Sequence, residues 1–277
     1  MDESYVLDRS DRELDRLDLQ GIIYRDITRR ALAGCGIEKG MRVLDAGCGS
    51  GDVSRLAAEL VGASGSVLGV DIDGDSIRSA RQRTGQSGIT NVAFEEGEAA
   101  SITEVQSFDA LVGRFFLMHQ VSPGETLAAA AKAVRPGGVV MMLESHMAGL
   151  VDAQHSLPDS SIYDEVVRWK CRVVAAAGAD LEAGLSLYRT FREANLPAPE
   201  MRMEAPVEGG PESLIYRYMA ESVRSMLATA GTLGIEGFNL ERVDALETDL
   251  RDSVVAHDGV LVCWPTVSAW CRLPATE

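Results

Sequence analysis

A short glycine-rich segment constrains the fold of this chain more than any other part of it. It runs Val43-Leu-Asp-Ala-Gly-Cys-Gly-Ser-Gly51, an apolar pair followed by an acid and then by glycine at every second position. Helix-like sequence follows from Val53 to Val61. Glycine lets the backbone turn tightly and lets a ligand approach it closely. A helix that begins there offers free N–H groups and the positive end of its dipole. The pattern therefore predicts a buried strand, a ligand-binding loop and a helix.

Short apolar segments alternate with helix-like segments through the first half of the chain. The strand candidates are Val43-Leu44, Val67–Val70, Val92–Phe94, Phe108–Val112 and Val139–Leu143. Helices are predicted between them, for example at Ser76–Arg83 and from Pro123 to Val134. This alternation is typical of a parallel sheet with helices on both faces, so the expected fold class is α/β. Ligands of such sheets bind beyond the carboxyl ends of the strands, where the strand order reverses.

The remainder of the chain is predicted to be mainly helical. Apolar residues at helical spacing predict helix for residues 10–34, 151–177, 185–194 and 211–255. Met201–Met203 is predicted to be a short strand. Gly259–Trp264 and Val267–Leu273 are predicted to form one last strand that is kinked or bulged at Pro265.

The glycine spacing and two acids indicate the kind of ligand. A dinucleotide fingerprint needs Gly-x-Gly-x-x-Gly, whereas the spacing here is Gly47-x-Gly49-x-Gly51, which argues against a nicotinamide-dependent oxidoreductase. Asp45 would repel a pyrophosphate but could hold an ammonium or a sulfonium-bearing ligand. Asp71 comes twenty residues after Gly51, at the end of the second strand, where it could accept hydrogen bonds from two ribose hydroxyls. S-adenosylmethionine has both features.

Five motifs occur in a fixed order along the chain. They are Asp45-Ala-Gly-Cys-Gly-Ser-Gly51, Leu68-Gly-Val-Asp71, Gly97-Glu-Ala99, Phe108-Asp-Ala-Leu-Val112 and Val134-Arg-Pro-Gly-Gly138. Across about residues 37–145, their order and spacing resemble those of class I S-adenosylmethionine-dependent methyltransferases. The chain is more specifically similar to bacterial small-molecule methyltransferases of the ubiquinone/menaquinone type and of secondary metabolism. This resemblance implies a Rossmann-like, seven-stranded, mostly parallel sheet with an antiparallel last strand, in which 201–203 and 259–273 supply the last two strands.

The same resemblance implies a cofactor site. The segment expected to contact the methionine end comprises Asp45, Ala46, Gly47, Cys48, Gly49 and Gly51. Asp71 should bind the ribose, and Ile72 should pack on the adenine. Glu98 and Ala99 match the position that contacts the adenine edge, although the family commonly has Asp where this chain has Glu98.

Candidates for pocket lining and proton transfer follow the fourth and fifth strands. Arg114 and Phe115 match the position at which the family lines the cofactor and substrate pocket. His119 could deprotonate the acceptor, because imidazole titrates near neutral pH; alternatively, it is a loop histidine that packs or caps. His146 and Glu144 lie at the carboxyl end of the fifth strand, and either could act as a base or a substrate anchor.

Further substrate contacts are expected from the helical parts. Gln20 and Tyr24 could reach the cofactor or substrate if the N-terminal segment folds over the pocket, although Tyr24 could equally pack on the core. Tyr163, Trp169 and Tyr216 could line an apolar substrate chamber, but aromatic residues at helical spacing are also common in plain cores.

The expected organisation is one catalytic domain with helical additions. Residues 1–36 form an N-terminal helical lid, residues 37–150 a Rossmann-like core completed by 178–207 and 257–277, and residues 151–177 and 208–256 helical cap insertions.

Charge and cysteine content exclude other classes of protein. The chain has 277 residues, 26 Lys+Arg and 42 Asp+Glu, and its formal net charge of −16 repels nucleic acids and anionic membrane surfaces. Its five cysteines show no CxxC spacing, so neither a disulfide framework nor a metal site is expected. The sequence has no secretory signal and no run long enough to span a membrane, which favours a cytoplasmic protein. His155 and His257 are expected to be solvated.

These features predict an enzyme that moves the methyl group of S-adenosylmethionine to an O, N or C atom of a small molecule, with a natural product as the expected acceptor. The direct displacement would depend mainly on proximity and orientation in an enclosed pocket. One alternative is an enzyme of the same fold that binds S-adenosylmethionine but catalyses cyclisation, elimination or decarboxylation. Another is a non-catalytic ligand-binding protein, against which the intact loop argues. A homodimer is compatible with the sequence.

Overall fold

The computed structural model describes residues 11–103 and 105–275. Residues 1–10 of the predicted lid lie outside the described residues. The helices are α1 Asp11–Ile23, α2 Arg25–Gly34, α3 Asp52–Val61, α4 Gly74–Ser87, α5 Pro123–Ala131, α6 Ala148–Val151, α7 Ser161–Ala176, α8 Ala183–Glu193, α9 Leu214–Thr232 and α10 Leu240–Val255. The strands are β1 Arg42–Ala46, β2 Ser66–Asp71, β3 Val92–Glu96, β4 Phe108–Arg114, β5 Val134–Ser145, β6 Ser156–Leu157, β7 Glu200–Glu204, β8 Val207–Gly209, β9 Val260–Val262 and β10 Thr266–Arg272.

Seven strands form one sheet in the order β3-β2-β1-β4-β5-β10-β7. The pairs among β1 to β5 are parallel. Next to them β10 is antiparallel to β5, because Leu273 N–H donates to the Gly138 carbonyl and Gly137 N–H donates to the Pro274 carbonyl. The expected fold class is therefore confirmed. The strand order reverses between β1 and β4, which places the glycine loop that follows β1 where ligands of α/β sheets bind.

The prediction of one kinked strand over 259–273 was wrong. Val260–Val262 pairs instead in a separate three-stranded sheet of order β6-β9-β8, and Thr266–Arg272 alone joins the seven-stranded sheet. Pro265 stands between them, and proline has no N–H to donate to a strand ladder. The proline therefore separates two strands rather than bending one. The predicted N-terminal helix is likewise two helices, separated at Tyr24.

Residue contacts divide the chain into two compact units. Of the described residues, the first comprises 11–24, Ser145–Glu182 and Glu204–Thr266, and the second comprises Arg25–Glu144, Ala183–Met203 and 267–275. In the first unit, α9 packs on α1, α7 and α10. Among the described helices, none combines the length and the apolar character needed to cross a bilayer.

The core of the second unit covers both faces of β1. Leu44 and Ala46 belong to an apolar cluster with Leu127 of α5 and Phe191 of α8. Since side chains alternate along a strand, Asp45 points to the opposite face, which α3 covers. A carboxyl group is thereby buried in a strand whose other buried residues, Val43, Leu44 and Ala46, are apolar.

Gly69 in β2 leaves the space that the side chains around it need. A Cβ at this position would lie 2.7 Å from Phe94 Cδ1 and 2.8 Å from Ser54 Oγ. We expect Gly69→Ala to lower the free energy of unfolding by roughly 1–3 kcal/mol, because overpacking a filled core forces side chains to shift. Urea denaturation monitored by circular dichroism measures this change.

Gly85→Ala is the matched control. A Cβ at Gly85 in α4 meets no atom within 4 Å, and alanine favours a helix over glycine by about 0.8–1.0 kcal/mol. The two substitutions should therefore have opposite signs. A Gly69→Ala protein as stable as the wild type would contradict the packing described for β2, β3 and α3.

Candidate functional site

The glycine loop after β1 has a left-handed backbone at three positions. Gly47, Gly49 and Gly51 have φ of 67°, 50° and 79°. A Cβ at Gly47 would lie 2.6 Å from Phe116 Cδ2, and one at Gly51 would lie 2.7 Å from Phe94 Cζ, whereas one at Gly49 would meet no atom within 4 Å. The outer two glycines are thus required by packing as well as by conformation. Gly49 faces open space, where a ligand can approach the backbone.

Asp71 at the end of β2 is tied to this loop. Its Oδ2 accepts a hydrogen bond from Gly49 N–H and its Oδ1 accepts one from Asp73 N–H, both at 2.9 Å. Asp73, not Asp71, caps α4 by accepting from Ser76 N–H. Each carboxylate oxygen can accept more than one hydrogen bond, so Asp71 can also accept bonds from a diol.

The predicted adenine contacts lie beside Asp71 in the structure. Gly97 N–H donates to the Asp71 carbonyl at 2.9 Å, which brings the turn after β3 next to the end of β2. Ile72 is 61% exposed, an unusual position for a large apolar side chain. Glu98 is exposed and accepts a hydrogen bond from Ser101 Oγ, while Ala99 is buried. Ile72 therefore offers an apolar surface for a flat ring next to Asp71, the residue predicted to bind the ribose.

Asp45 is completely buried in the wall of this site. Its Oδ2 accepts a 2.5 Å hydrogen bond from Ser54 Oγ of α3. Within the described part of the chain, its Oδ1 has no hydrogen-bond partner. The pKa of this carboxyl is raised to about 7: burial is the largest cause, the nearby Asp52 and Asp71 also raise the pKa, and Ser54 and Arg114 lower it. A buried acceptor that lacks a donor suits a cationic N–H group.

Arg114 bonds to the protein itself. Its Nη1 donates to Thr28 Oγ1 of α2 at 3.0 Å, and its Nη2 forms an ion pair with Asp52 in the first turn of α3. The following residue, Phe115, has a φ of 53°, and its N–H donates to the Leu143 carbonyl. The family resemblance implies that Arg114 lines the cofactor and substrate pocket; in the structure, two of its guanidinium nitrogens bond to Thr28 and Asp52.

Glu144, which the sequence predicts to be a base or a substrate anchor, is held by the protein backbone. Glu144 is completely buried, and its Oε1 accepts hydrogen bonds from the N–H groups of Phe116 and Leu117 at 3.0 and 2.8 Å. Its Oε2 accepts a third, from Met118 N–H. The side chain thus anchors the segment that follows β4. Phe116 of this segment packs on Gly47, and His119, which is partly exposed, ends its short 3-10 helix.

The predicted substrate residues lie in the first unit, and the aromatic ones among them are buried in its core. The hydroxyls of Tyr24, Tyr163 and Tyr216 donate to the carbonyls of Trp264, Val262 and Gly210 at 3.0, 2.8 and 3.1 Å. These three side chains and Trp169 are at most 2% exposed. These aromatic side chains therefore pack in the core of the first unit, and that they line a substrate chamber stays a prediction.

Three other polar residues of the first unit have different environments. Gln20 is partly exposed and accepts a 3.5 Å hydrogen bond from Arg16. The ring of His146 packs against Gly149, and its main-chain N–H donates to the Pro265 carbonyl. His155 was expected to be solvated, but it is 5% exposed and its Nδ1 lies 3.0 Å from the Leu150 carbonyl.

Sequence reasoning missed residues that become important only in three dimensions. Asp52, Ser54 and Thr28 belong to none of the five motifs, although Asp52 and Ser54 lie within three residues of Gly51. Lys170 is 2% exposed and its Nζ lies 5.1 Å from the Tyr218 ring centre and 5.0 Å from that of Trp264. Its position on the apolar stripe of α7, three residues after Val167, is a signal that could have identified it.

Glu144→Gln tests the anchoring role of this carboxyl group. The amide has one acceptor oxygen in place of two and directs N–H groups at backbone N–H groups, so we expect the free energy of unfolding to fall by roughly 1–3 kcal/mol. The exposed Glu247→Gln should change it by less than about 0.5 kcal/mol. Equal urea midpoints for the two variants would contradict the anchoring role.

Asp45→Asn tests the burial of a titrating carboxyl. Because the folded-state pKa of Asp45 is raised to about 7, the wild type should lose stability as the pH rises from about 4 to 7. The variant avoids this loss, so its melting temperature should exceed that of the wild type by several degrees at pH 8 and match it near pH 4, by differential scanning fluorimetry. The exposed Asp249→Asn should show no such pH dependence. A variant less stable than the wild type at pH 8 would refute the prediction.

Comparison with known proteins identifies the family of this chain. A family model described as a methyltransferase domain matches residues 37–195, more than half of the chain. The arsenite methyltransferase of Aquipseudomonas alcaligenes is 31% identical over 232 residues, which are 79% of this chain and 61% of that protein. The ubiquinone/menaquinone biosynthesis C-methyltransferase UbiE of Pseudomonas paraeruginosa is 30% identical over 208 residues, 74% of this chain and 67% of that protein.

A solved structure with the same fold extends the match. The YcgJ protein from Bacillus subtilis aligns with a TM-score of 0.56 at 14% identity, covering 88% of this chain and 97% of that one. The chain spans about two thirds or less of the curated relatives named above. On the strength of the family match and of the loop, the two acids and the sheet order, the chain belongs to the class I methyltransferase domain family, whose cofactor is S-adenosylmethionine.

Proposed function

We propose that this chain transfers the methyl group of S-adenosylmethionine to a nucleophilic O, N or C atom of a small organic molecule, with a natural product as the acceptor. The observation that carries the proposal is the buried Oδ1 of Asp45 at the carboxyl end of β1, an acceptor with no donor among the described residues. It lies on the strand that leads into the open backbone at Gly49.

The residues present fit the cofactor. Asp45 would accept the ammonium of the methionine part, Gly49 would let that part approach the loop, and Asp71 would accept the ribose hydroxyls. Ile72 offers an exposed apolar surface for the adenine. When bound, S-adenosylmethionine supplies a methyl group activated by its positively charged sulfur.

The chain's own contribution to the reaction would be mainly orientation. Holding two reacting groups in line can be equivalent to effective molarities of about 10⁵–10⁸ M. Glu144 keeps the segment after β4 in place through its three backbone hydrogen bonds. His119 is the partly exposed imidazole of that segment and would take the proton from a hydroxyl or amine acceptor.

The cysteines favour an organic acceptor over arsenite, the acceptor named for one relative. Thiolates, not thiols, bind soft metal centres. All five cysteines of this chain are buried. Burial raises the pKa of Cys35 to about 12 and those of Cys171 and Cys271 to about 11, so these thiols stay protonated at neutral pH.

Incubation with methyl-labelled S-adenosylmethionine and a panel of phenols, amines and enolisable carbonyl compounds tests the proposal. Label should appear in at least one acceptor class. Cofactor binding without label transfer to any of them would favour the alternative chemistry of cyclisation, elimination or decarboxylation.

Asp71→Asn tests the cofactor placement. The amide keeps one acceptor oxygen and loses the charge, so S-adenosylhomocysteine should bind roughly 10-fold more weakly or worse by titration calorimetry, since a hydrogen bond to a charged group contributes about 1.5–3 kcal/mol. The exposed Asp75→Asn in α4 is the matched control and should bind normally. Unchanged affinity in Asp71→Asn would show the ribose to lie elsewhere.

A further inference from the structure

The register of the sheet brings three charged side chains to one face. Asp45 in β1 pairs with Gly69 in β2 and with Val112 in β4. Directly paired residues of parallel strands point to the same face, and so do residues two positions apart on one strand. Asp71 and Arg114 stand two positions beyond Gly69 and Val112. Asp45, Asp71 and Arg114 therefore share the face that α3 covers, at the carboxyl edge of the sheet.

Helix α3 adds a fourth charge to this group. Ser54 of α3 donates to Asp45, and Asp52, one half-turn earlier, forms the ion pair with Arg114. The side chains of Arg114 and Asp52 are 6% and 19% exposed. Thr28 Oγ1 of α2 accepts the second guanidinium hydrogen bond and is itself buried. The pair is therefore held in a fixed place in a poorly hydrated environment, where charges act strongly on one another.

The charged groups around Asp45 have opposing effects on its pKa. Burial is the largest influence on its pKa and raises it; Asp52 and Asp71 also raise it, while Ser54 and Arg114 lower it. The Cys48 thiol beside them is held neutral, because burial raises its pKa well above the ordinary value. Without Arg114, the negative charge of Asp52 would be uncompensated and the Asp45 anion would become harder to form.

We propose that Arg114 is a positioning residue for the cofactor: its ion pair with Asp52 balances the negative charge beside Asp45, so that Asp45 can accept the ammonium group of S-adenosylmethionine as an anion. The proposal rests on the proposed binding of the methionine part at Asp45. If it holds, binding of the amino-acid part of the cofactor depends on pH, whereas binding of the nucleoside part does not.

Two ligands separate these parts. S-adenosylhomocysteine carries the ammonium group, and 5′-methylthioadenosine has the same nucleoside without the amino acid. Titration calorimetry from pH 6 to 8.5 should show wild-type affinity for S-adenosylhomocysteine rising with pH and levelling off above about 7.5. In Arg114→Gln the rise should move upward by about one pH unit, which lowers affinity roughly fivefold at pH 7. Affinity for 5′-methylthioadenosine should stay within about twofold throughout.

Two further variants test the direction in which the pH dependence of affinity shifts. Asp52→Asn removes the negative charge and leaves Arg114 to act on Asp45, so the rise should move downward, opposite to Arg114→Gln. Arg114→Lys keeps the charge and should restore the wild-type profile. Should Arg114→Gln fail to fold, Asp52→Asn and Arg114→Lys still decide the proposal.

Several results would overturn the proposal. A loss of affinity for both ligands in Arg114→Gln would mean a merely structural role. A loss for S-adenosylhomocysteine that is the same at every pH would mean that Arg114 contacts the cofactor directly. A pH-independent wild type would mean that Asp45 does not control binding. Failure of the wild type to bind either ligand would instead contradict the proposed function itself.

Discussion

The buried carboxyl group of Asp45 is the constraint on which the site depends. It lies one residue before the end of β1, an interior strand of the sheet, with no exposure to solvent and with one hydrogen bond, from Ser54. Burial of a charge without full compensation is costly, and in an apolar strand this position would be more stable with an apolar side chain. A cation supplied by a ligand removes that cost. The strand thus carries a local instability that the proposed binding of an ammonium group would relieve.

The neighbouring elements keep this carboxyl group in place. The loop turns back through Gly47 and Cys48, whose N–H groups donate to the Val70 carbonyl, and then enters α3. Phe116 fills the space above Gly47, and Glu144 fixes the backbone of Phe116. A contact chain therefore runs from the end of β5 through the segment after β4 to the glycine loop, which explains why a buried glutamate is placed where a catalytic base was expected.

The first unit is stabilised differently. Its aromatic hydroxyls donate to backbone carbonyls, and Lys170 lies between the rings of Tyr218 and Trp264, with its Nζ 3.6 Å from Met219 Sδ. A lysine in such a position is stabilised by cation–π attraction, which is strongest when the cation is poorly hydrated. The aromatic residues that the sequence offered as substrate contacts are thus explained by packing.

Local pattern was enough to predict much of the second unit. The alternation of apolar and helix-like segments predicts a parallel sheet, and the glycine spacing and two acids predict the cofactor loop. Both signals are local, because the residues that make them lie close together in the sequence. Ile72 is exposed and Gly49 faces open space, so both remain accessible for the contacts that the motifs predict.

The sequence by itself determined the fold class, the glycine loop and the acids beside it, since strand, turn and helix signals are local. Only the tertiary structure decided the partners of buried charges. Asp52 and Arg114 are 62 residues apart in the chain, and Glu144 lies 28 residues from Phe116. It also decided that Pro265 separates two sheets. Such pairings depend on strand order and register, which set which distant residues meet, and no local pattern specifies them.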